Sequence, residues 1–263
     1  MTETTSFFTD GEAYERMMGQ WSRAAGEIFL DWLALPRGLR WLDVGCGTGA
    51  FTELVLERCA PGAINAIDPS ADQIAFAKTR TGAARASFGT GDAQSLPFDD
   101  RAFDVAAMAL VITFVPDPHK AVAEMKRVVK PGGTVATYMW DILGGGFTQQ
   151  PLRDALATLG HEAPITPGSP NSRMDALQGY FRGAGLGDIA TRTIDITVSY
   201  SNFDAFWAAE TGLPNPAVQA IRKMSGPEVE RLKDYLRNNL PSDRKGRIAY
   251  PAKANAIRGS VPA

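Results

Sequence analysis

Apolar residues along the chain alternate between two kinds of run. Short, nearly continuous ones fall at 40–44, 63–67, 86–89, 103–111 and 134–140. Between them lie stretches with apolar side chains three or four apart. Ala25, Ile28, Phe29, Trp32 and Leu33 share one face of a helix predicted over 22–35, which Ser22 can cap and Pro36 and Gly38 end. Ala121, Val122, Met125, Val128 and Val129 share a face of a second, over 118–129, which the turn 130–133 stops. Further helices are expected over 12–19, 50–58 and 71–80. Strands alternating with helices over 100 residues predict a parallel sheet covered by helices on both faces. In such sheets a ligand binds beyond the carboxyl ends of the strands.

Beyond Asp141 the pattern loosens. Gly144, Gly145 and Gly146 read as a flexible link, and 160–172, with three prolines, as loop. Helix is expected over 174–183, 202–210, 216–224 and 227–240, and strand over 189–199, where Ile194, Ile196 and Val198 alternate. A last strand over 246–258 would be irregular at Pro251. The domain expectation is a single unit over 1–263. It has a helical lid at 1–35, a ligand-binding core at 36–140, cap insertions at 141–172 and 202–240, and closing strands within 173–201 and 241–263.

Three glycines at alternate positions, Gly45, Gly47 and Gly49, join the first strand to the next helix. Glycine permits the positive φ of a tight turn and leaves bare backbone for a ligand, while the helix start offers free N–H groups. The third glycine falls one residue too early for the dinucleotide fingerprint. Neither a triphosphate-binding Gly-Lys-Ser/Thr nor a Gly-x-Ser-x-Gly elbow occurs.

Composition narrows the field without naming an activity. Hydrophobic residues make up 44% and charged residues 21%, an ordinary globular balance. A net charge of −2 gives no general attraction to nucleic acid or anionic membrane. The excess of basic residues over 221–258 reads as a solvated face. Cys46, Cys59, His119 and His161 lack the spacing of a structural zinc site, so no metal is expected. No apolar run reaches the ~20 residues of a membrane span, and the start lacks a secretory pattern. Few cysteines suit a cytoplasmic location.

With the glycine turn in place, the motif Asp43-Val44-Gly45-Cys46-Gly47-Thr48-Gly49 resembles the first motif of class I S-adenosylmethionine-dependent methyltransferases. Ala66-Ile67-Asp68-Pro69-Ser70 is similar to their second-strand acid. Gly91-Asp92-Ala93-Gln94-Ser95-Leu96-Pro97-Phe98 and Phe103-Asp104 resemble their third- and fourth-strand motifs, and Arg127-Val128-Val129-Lys130-Pro131-Gly132-Gly133 the turn before the fifth. The likeness is nearest to the small-molecule branch that includes quinone-biosynthesis methyltransferases. It implies an α/β, Rossmann-like, doubly wound, seven-stranded, mostly parallel sheet with a last antiparallel strand and a helical cap.

The resemblance also implies S-adenosylmethionine as cofactor and S-adenosylhomocysteine as product. Asp68 would hold the ribose hydroxyls, with Pro69 over one adenine face. Asp92 would accept from the adenine amino group, with the Ala93 backbone at the ring edge and Gln94 in the same loop. Gly45, Cys46 and Gly47 would lie along the methionine portion. Asp43 would take its ammonium or else brace the turn, and Ala109 and Leu110 would offer a carbonyl. Tyr14 and Arg23 would meet the carboxylate, although Arg23 suits a solvent-facing helix equally. Trp21 reads as lid or core. His161, in an irregular loop, is a candidate to face the acceptor; no catalytic base is identified.

The expected activity is in-line methyl transfer to a small, partly apolar acceptor, with no nucleic-acid partner and room for a homodimer. A protein that binds the nucleoside without transfer, or a nicotinamide oxidoreductase, are the alternatives.

Overall fold

A computed structural model of the chain describes residues 20–162, 164–212 and 215–263. The expected helix at 12–19, and Tyr14 with it, lie outside the described residues. Seven strands form one sheet in the order β3-β2-β1-β4-β5-β7-β6. They are β1 (Arg40–Val44), β2 (Ala63–Asp68), β3 (Ser87–Thr90), β4 (Phe103–Ala109), β5 (Val129–Trp140), β6 (Gly187–Tyr200) and β7 (Ile248–Ser260). β3, β2, β1, β4 and β5 are parallel, and β7 runs antiparallel between β5 and β6. This is the seven-stranded, mostly parallel sheet that the alternation and the resemblance predict.

The central strands read as unbroken apolar runs because both their faces are covered. Leu42, Val44, Val105, Ala106, Ala107 and Met108 are completely buried. Helices α1 (Gln20–Leu33) and α2 (Ala50–Cys59) pack on each other, while α4 (Pro118–Val128) packs on β5 and on α6 (Met174–Gly183). Helix α3 (Ala71–Ala77), capped by Ser70, joins β2 to β3. Steps from β1 toward β3 and from β4 toward β5 run in opposite directions along the sheet. Right-handed crossovers therefore place their helices on opposite faces. Arg258 of β7 donates to the Leu33 carbonyl at 2.9 Å and stacks on Trp32, which ties the end of α1 to the sheet.

The cap differs in detail from expectation. Residues 150–158, read as part of a loose insertion, form helix α5 (Gln150–Thr158), with Pro151 in its first turn and Leu152, Ala155 and Leu156 buried. A single short face gives too weak a period to find from sequence. The glycines at 144–146 are not a free link. Asp141 N–H donates to the Lys253 carbonyl at 2.9 Å, and Lys253 N–H donates to the Gly146 carbonyl at 2.8 Å.

β5 begins at Val129 and not at Thr134: Phe103 pairs with Val129 and Val105 with Thr134, so the Lys-Pro-Gly-Gly turn bulges out of a continuous strand. Pro251 does not interrupt β7. It lies past the last pairing with β5, Trp140 with Ala254, so that edge loses no ladder bond. Helices α7 (Phe203–Thr211), α8 (Pro216–Arg222) and α9 (Gly226–Asn239) complete the cap, with α5 packed on α8 and α9.

Candidate cofactor site

The glycine turn is shaped by three left-handed residues, Gly45 at φ 77°, Gly47 at φ 52° and Gly49 at φ 82°. Gly45 and Cys46 both donate to the Ile67 carbonyl, at 2.8 and 2.9 Å, which locks the turn to the end of β2. The three glycines are not equivalent. A Cβ on Gly45 would come within 2.6 Å of Val111, and one on Gly49 within 3.1 Å of Ala77. At Gly47 the nearest atom is Gln73 Oε1 at 4.0 Å. Two glycines thus serve packing, and Gly47 faces open space.

Asp68 closes the other side of the turn. Its Oδ2 accepts from Gly47 N–H at 3.0 Å, and its Oδ1 from Ser70 N–H at 2.9 Å. Each oxygen keeps a further lone pair. Burial raises the Asp68 pKa, and the two backbone donors oppose that shift. Pro69 is exposed on this turn.

Asp43 is buried below the glycines. Its Oδ2 accepts from Thr52 Oγ1 of α2 at 2.6 Å, while Oδ1 has no partner. Burial pushes its pKa up to about 7, against the Thr52 hydrogen bond. The carboxyl braces the turn, one of the two roles the sequence left open, and its orphaned oxygen keeps the other available. Cys46 is buried, and burial raises its thiol pKa. It is an inert part of the turn.

The loop after β3 lies on the same edge, since Thr90 pairs with Asp68 and Gly91 N–H donates to the Asp68 carbonyl at 3.1 Å. Asp92 is exposed, and its Oδ1 accepts from Gln94 N–H at 2.8 Å. Gln94 Oε1 in turn accepts from Asp117 N–H at the start of α4, 3.1 Å away. Ala93 is half-buried between them.

Arg127 holds this loop from behind. Its guanidinium donates to the Phe98 and Leu96 carbonyls at 2.9 and 3.0 Å and pairs with Glu124 and Asp100. The sequence flagged Arg127 only as part of a turn motif. Arg127→Ala is expected to cost about 1–3 kcal/mol, less than a fully buried clamp because the side chain is partly solvated. The melting temperature should fall by roughly 3–8 °C. Hydrogen exchange should speed up in 94–100, and Arg127→Lys, lacking the planar fork, should restore only part of the loss.

Ala109 ends β4, and Leu110 follows at φ 61°, a left-handed conformation rarely adopted by a leucine. Its N–H donates to the Tyr138 carbonyl at 2.9 Å, which holds it there. This strain, invisible in sequence, falls beside the glycine turn, because Val111 is the residue packed on Gly45.

Other candidates fall elsewhere. Arg23 pairs with Glu57 and Glu27, so its charge is engaged along α1 and α2. Both partners lie on the helix surface, where Arg23 is about half exposed. Trp21 is buried, as core. His119 lies in the first turn of α4 and packs edge-on against Tyr180, their ring centroids 4.7 Å apart. His161 lines a cleft in the cap with Pro216, Lys223 and Glu228. Among the described residues no cluster of histidine, cysteine and carboxylates fits a metal, and no helix is long and apolar enough to cross a membrane.

A glycine turn with one open face, an acid at the tip of β2 and a strained tip on β4 lie together at the carboxyl edge of the sheet. Residues 42–137 match the family described as Methyltransferase domain. That stretch, a little over a third of the chain, is what is similar to a methyltransferase domain, and it holds β1 to β5 with the glycine turn and Asp68.

Over 111 residues it is 36% identical to the ubiquinone/menaquinone biosynthesis C-methyltransferase UbiE of Roseobacter denitrificans, covering 41% of this chain and 44% of the relative. Over 105 residues it is 36% identical to demethylmenaquinone methyltransferase of Staphylococcus aureus, covering 39% and 44%. The aligned stretch thus spans less than half of these relatives. The fold is similar to that of phosphoethanolamine N-methyltransferase 2 of Haemonchus contortus, solved with phosphomonomethylethanolamine and S-adenosylhomocysteine. The TM-score is 0.61 at 18% identity, covering 98% of this chain and 58% of that one.

Proposed function

We propose that the protein transfers a methyl group from S-adenosylmethionine to a small, partly apolar acceptor. The observation that carries this reading is the pairing of Gly47, open on one face, with the Asp68 carboxylate bonded to its N–H. That pairing offers bare backbone beside an acid, as an adenosyl sulfonium with two vicinal ribose hydroxyls requires. Asp68 binds the ribose hydroxyls, Pro69 and the Asp92–Gln94 loop flank the adenine, and Gly45–Gly47 lie along the methionine portion. The unpaired oxygen of Asp43 and the carbonyls of Ala109 and Leu110 face its ammonium. The cofactor supplies a methyl group on a cationic sulfur; the chain's part is to hold donor and acceptor in line.

The acceptor side lies over β4, β5 and the cap. There Phe114, Leu143 and Ile165 are exposed large apolar side chains. Gly168 of the cap lies against the Thr113 carbonyl, where a Cβ would approach to 1.9 Å. The insertion at 141–172 thus reaches the segment after β4, and an apolar acceptor suits the rim. Both cysteines are free, which suits a reducing cytoplasm.

Calorimetry with S-adenosylhomocysteine and with NAD tests the reading. Saturable binding of the first at micromolar affinity or better and none of the second is expected. Binding of NAD alone would overturn it.

A further inference from the structure

The two edges of the sheet are built differently. β3, at one edge, has 4 residues. β6, at the other, has 14 and pairs only with β7. A long open edge is a template for another strand, and proteins usually blunt it with proline, lysine, a bulge or a covering helix. The one irregularity of the β6 ladder lies between Gly187 and Ala190. From Ala190 to Tyr200 the pairing is regular, and the stretch holds neither proline nor lysine. Thr191, Arg192 and Thr193 are all exposed, so neither face of the strand is covered there.

The backbone groups on the open side follow from the bonding of β7. Lys253 N–H donates to the Gly146 carbonyl, and its own carbonyl accepts from Asp141 N–H, so Lys253 faces β5. Val261 N–H donates to the Gly133 carbonyl and faces the same way. The direction alternates along an antiparallel strand, so the even-numbered residues of β7 face β6. Their partners in β6 are also even-numbered: Arg192 pairs with Ala256, Ile194 with Ala254 and Ile196 with Ala252. The N–H and C=O groups of Thr191, Thr193, Asp195 and Thr197 therefore point away from the sheet, and all four side chains are exposed. No backbone hydrogen bond reaches these groups among the described residues.

This edge suits a copy of itself. Ala190–Tyr200 carries one cation, Arg192, and one anion, Asp195, so two copies do not repel. In antiparallel pairing about a two-fold axis, the residue on the axis meets its own copy. An axis at Arg192 or at Asp195 would oppose like charges. An axis at Ile194 would put the two Asp195 carboxylates on a close diagonal. With the axis at Thr193 the diagonal pair is Arg192, whose long side chain reaches away into solvent. Thr193 then meets Thr193 of the partner subunit, and the Thr191 hydroxyl donates to Asp195 of the partner subunit. We propose that β6 pairs antiparallel with β6 of a second copy of this chain, centred on Thr193, so that one sheet runs through both subunits. The pairing uses up the same edge on each copy and closes at two.

Sedimentation velocity of the full chain over roughly 2–200 µM tests the pairing, because a ladder without a large apolar interface binds in the micromolar range. The wild type should pass from monomer to dimer across that range. Thr193→Pro removes an outward N–H and puts its ring in the way of the second strand, yet costs β7 no ladder bond. Its dissociation constant should rise by about tenfold or more, while melting at the lowest concentration stays within a few degrees of the wild type. Thr193→Lys sets two lysines together on the axis, should weaken the dimer likewise, and serves if the proline variant melts early. Copies of residue 193 would lie about 5.5 Å apart between Cα atoms, within reach of a disulfide. Thr193→Cys should therefore cross-link on oxidation, and Thr197→Cys, far from the axis, should not exceed the wild-type background. A wild type that stays monomeric throughout, a dimer that survives both Thr193→Pro and Thr193→Lys, or cross-linking no better at 193 than at 197 would overturn the proposal.

Discussion

Asp68→Ala should abolish S-adenosylhomocysteine binding in any ordinary titration range. A carboxylate that accepts from two ribose hydroxyls makes two charge-assisted hydrogen bonds, each worth about 1.5–3 kcal/mol. Their loss lowers affinity by roughly 100-fold or more. The effect has a second source, because the same carboxylate accepts from Gly47 N–H and Ser70 N–H. Removing it frees the glycine turn that the ligand lies against. Asp68→Asn separates the two contributions. An amide oxygen can still take one backbone N–H, but the amide NH2 faces donors with another donor, so affinity should remain low while the fold recovers. Calorimetry that finds Asp68→Ala within about threefold of the wild type would remove Asp68 from the site.

The largest loss of stability should come from Gly45→Ala. Alanine at φ 77° bears about 1–2 kcal/mol of left-handed strain. Its Cβ would also sit 2.6 and 2.7 Å from the two γ-methyls of Val111, on the backbone that follows the strained Leu110. Such overpacking costs about 1–3 kcal/mol. The sum is a large share of the ~5–15 kcal/mol that holds a domain together, and the melting temperature should fall by roughly 5–15 °C. Adding Val111→Ala should recover the overpacking part and leave the strain. Gly47→Ala is the contrast: its φ of 52° brings strain, but the added methyl meets nothing closer than 4.0 Å. That variant should melt within a few degrees of the wild type and lose ligand affinity instead, which thermal unfolding and calorimetry read separately. Equal melting losses in the two variants would show that the turn does not divide into a packing glycine and a ligand-facing one.

The periods and glycine spacing, with no tertiary information, set out the alternation of strands and helices, the turn at 45–49 and the acid at the end of β2. These are local matters: a strand buried on both faces must be apolar throughout, and a tight turn into a helix needs residues that tolerate positive φ. Because strands joined by helical crossovers run parallel, local order also fixed that the Asp68 turn and the Asp92 loop share the carboxyl edge. The cap was less legible, since α5 is short and shows only three buried positions.

What the chain's order could not decide is how side chains far apart in sequence meet. Arg23 has the position to reach a carboxylate, but Glu57, 34 residues later, pairs with it on the neighbouring helix. Leu110 gives no sign of a left-handed backbone, because its strain comes from the Tyr138 carbonyl of another strand. Glu210 looks like any helix-surface glutamate until the antiparallel return of β7 brings Tyr250 beside Tyr200 and closes both over it. Local sequence determines which backbone shapes are affordable. Only the folded packing determines which buried polar atoms find partners.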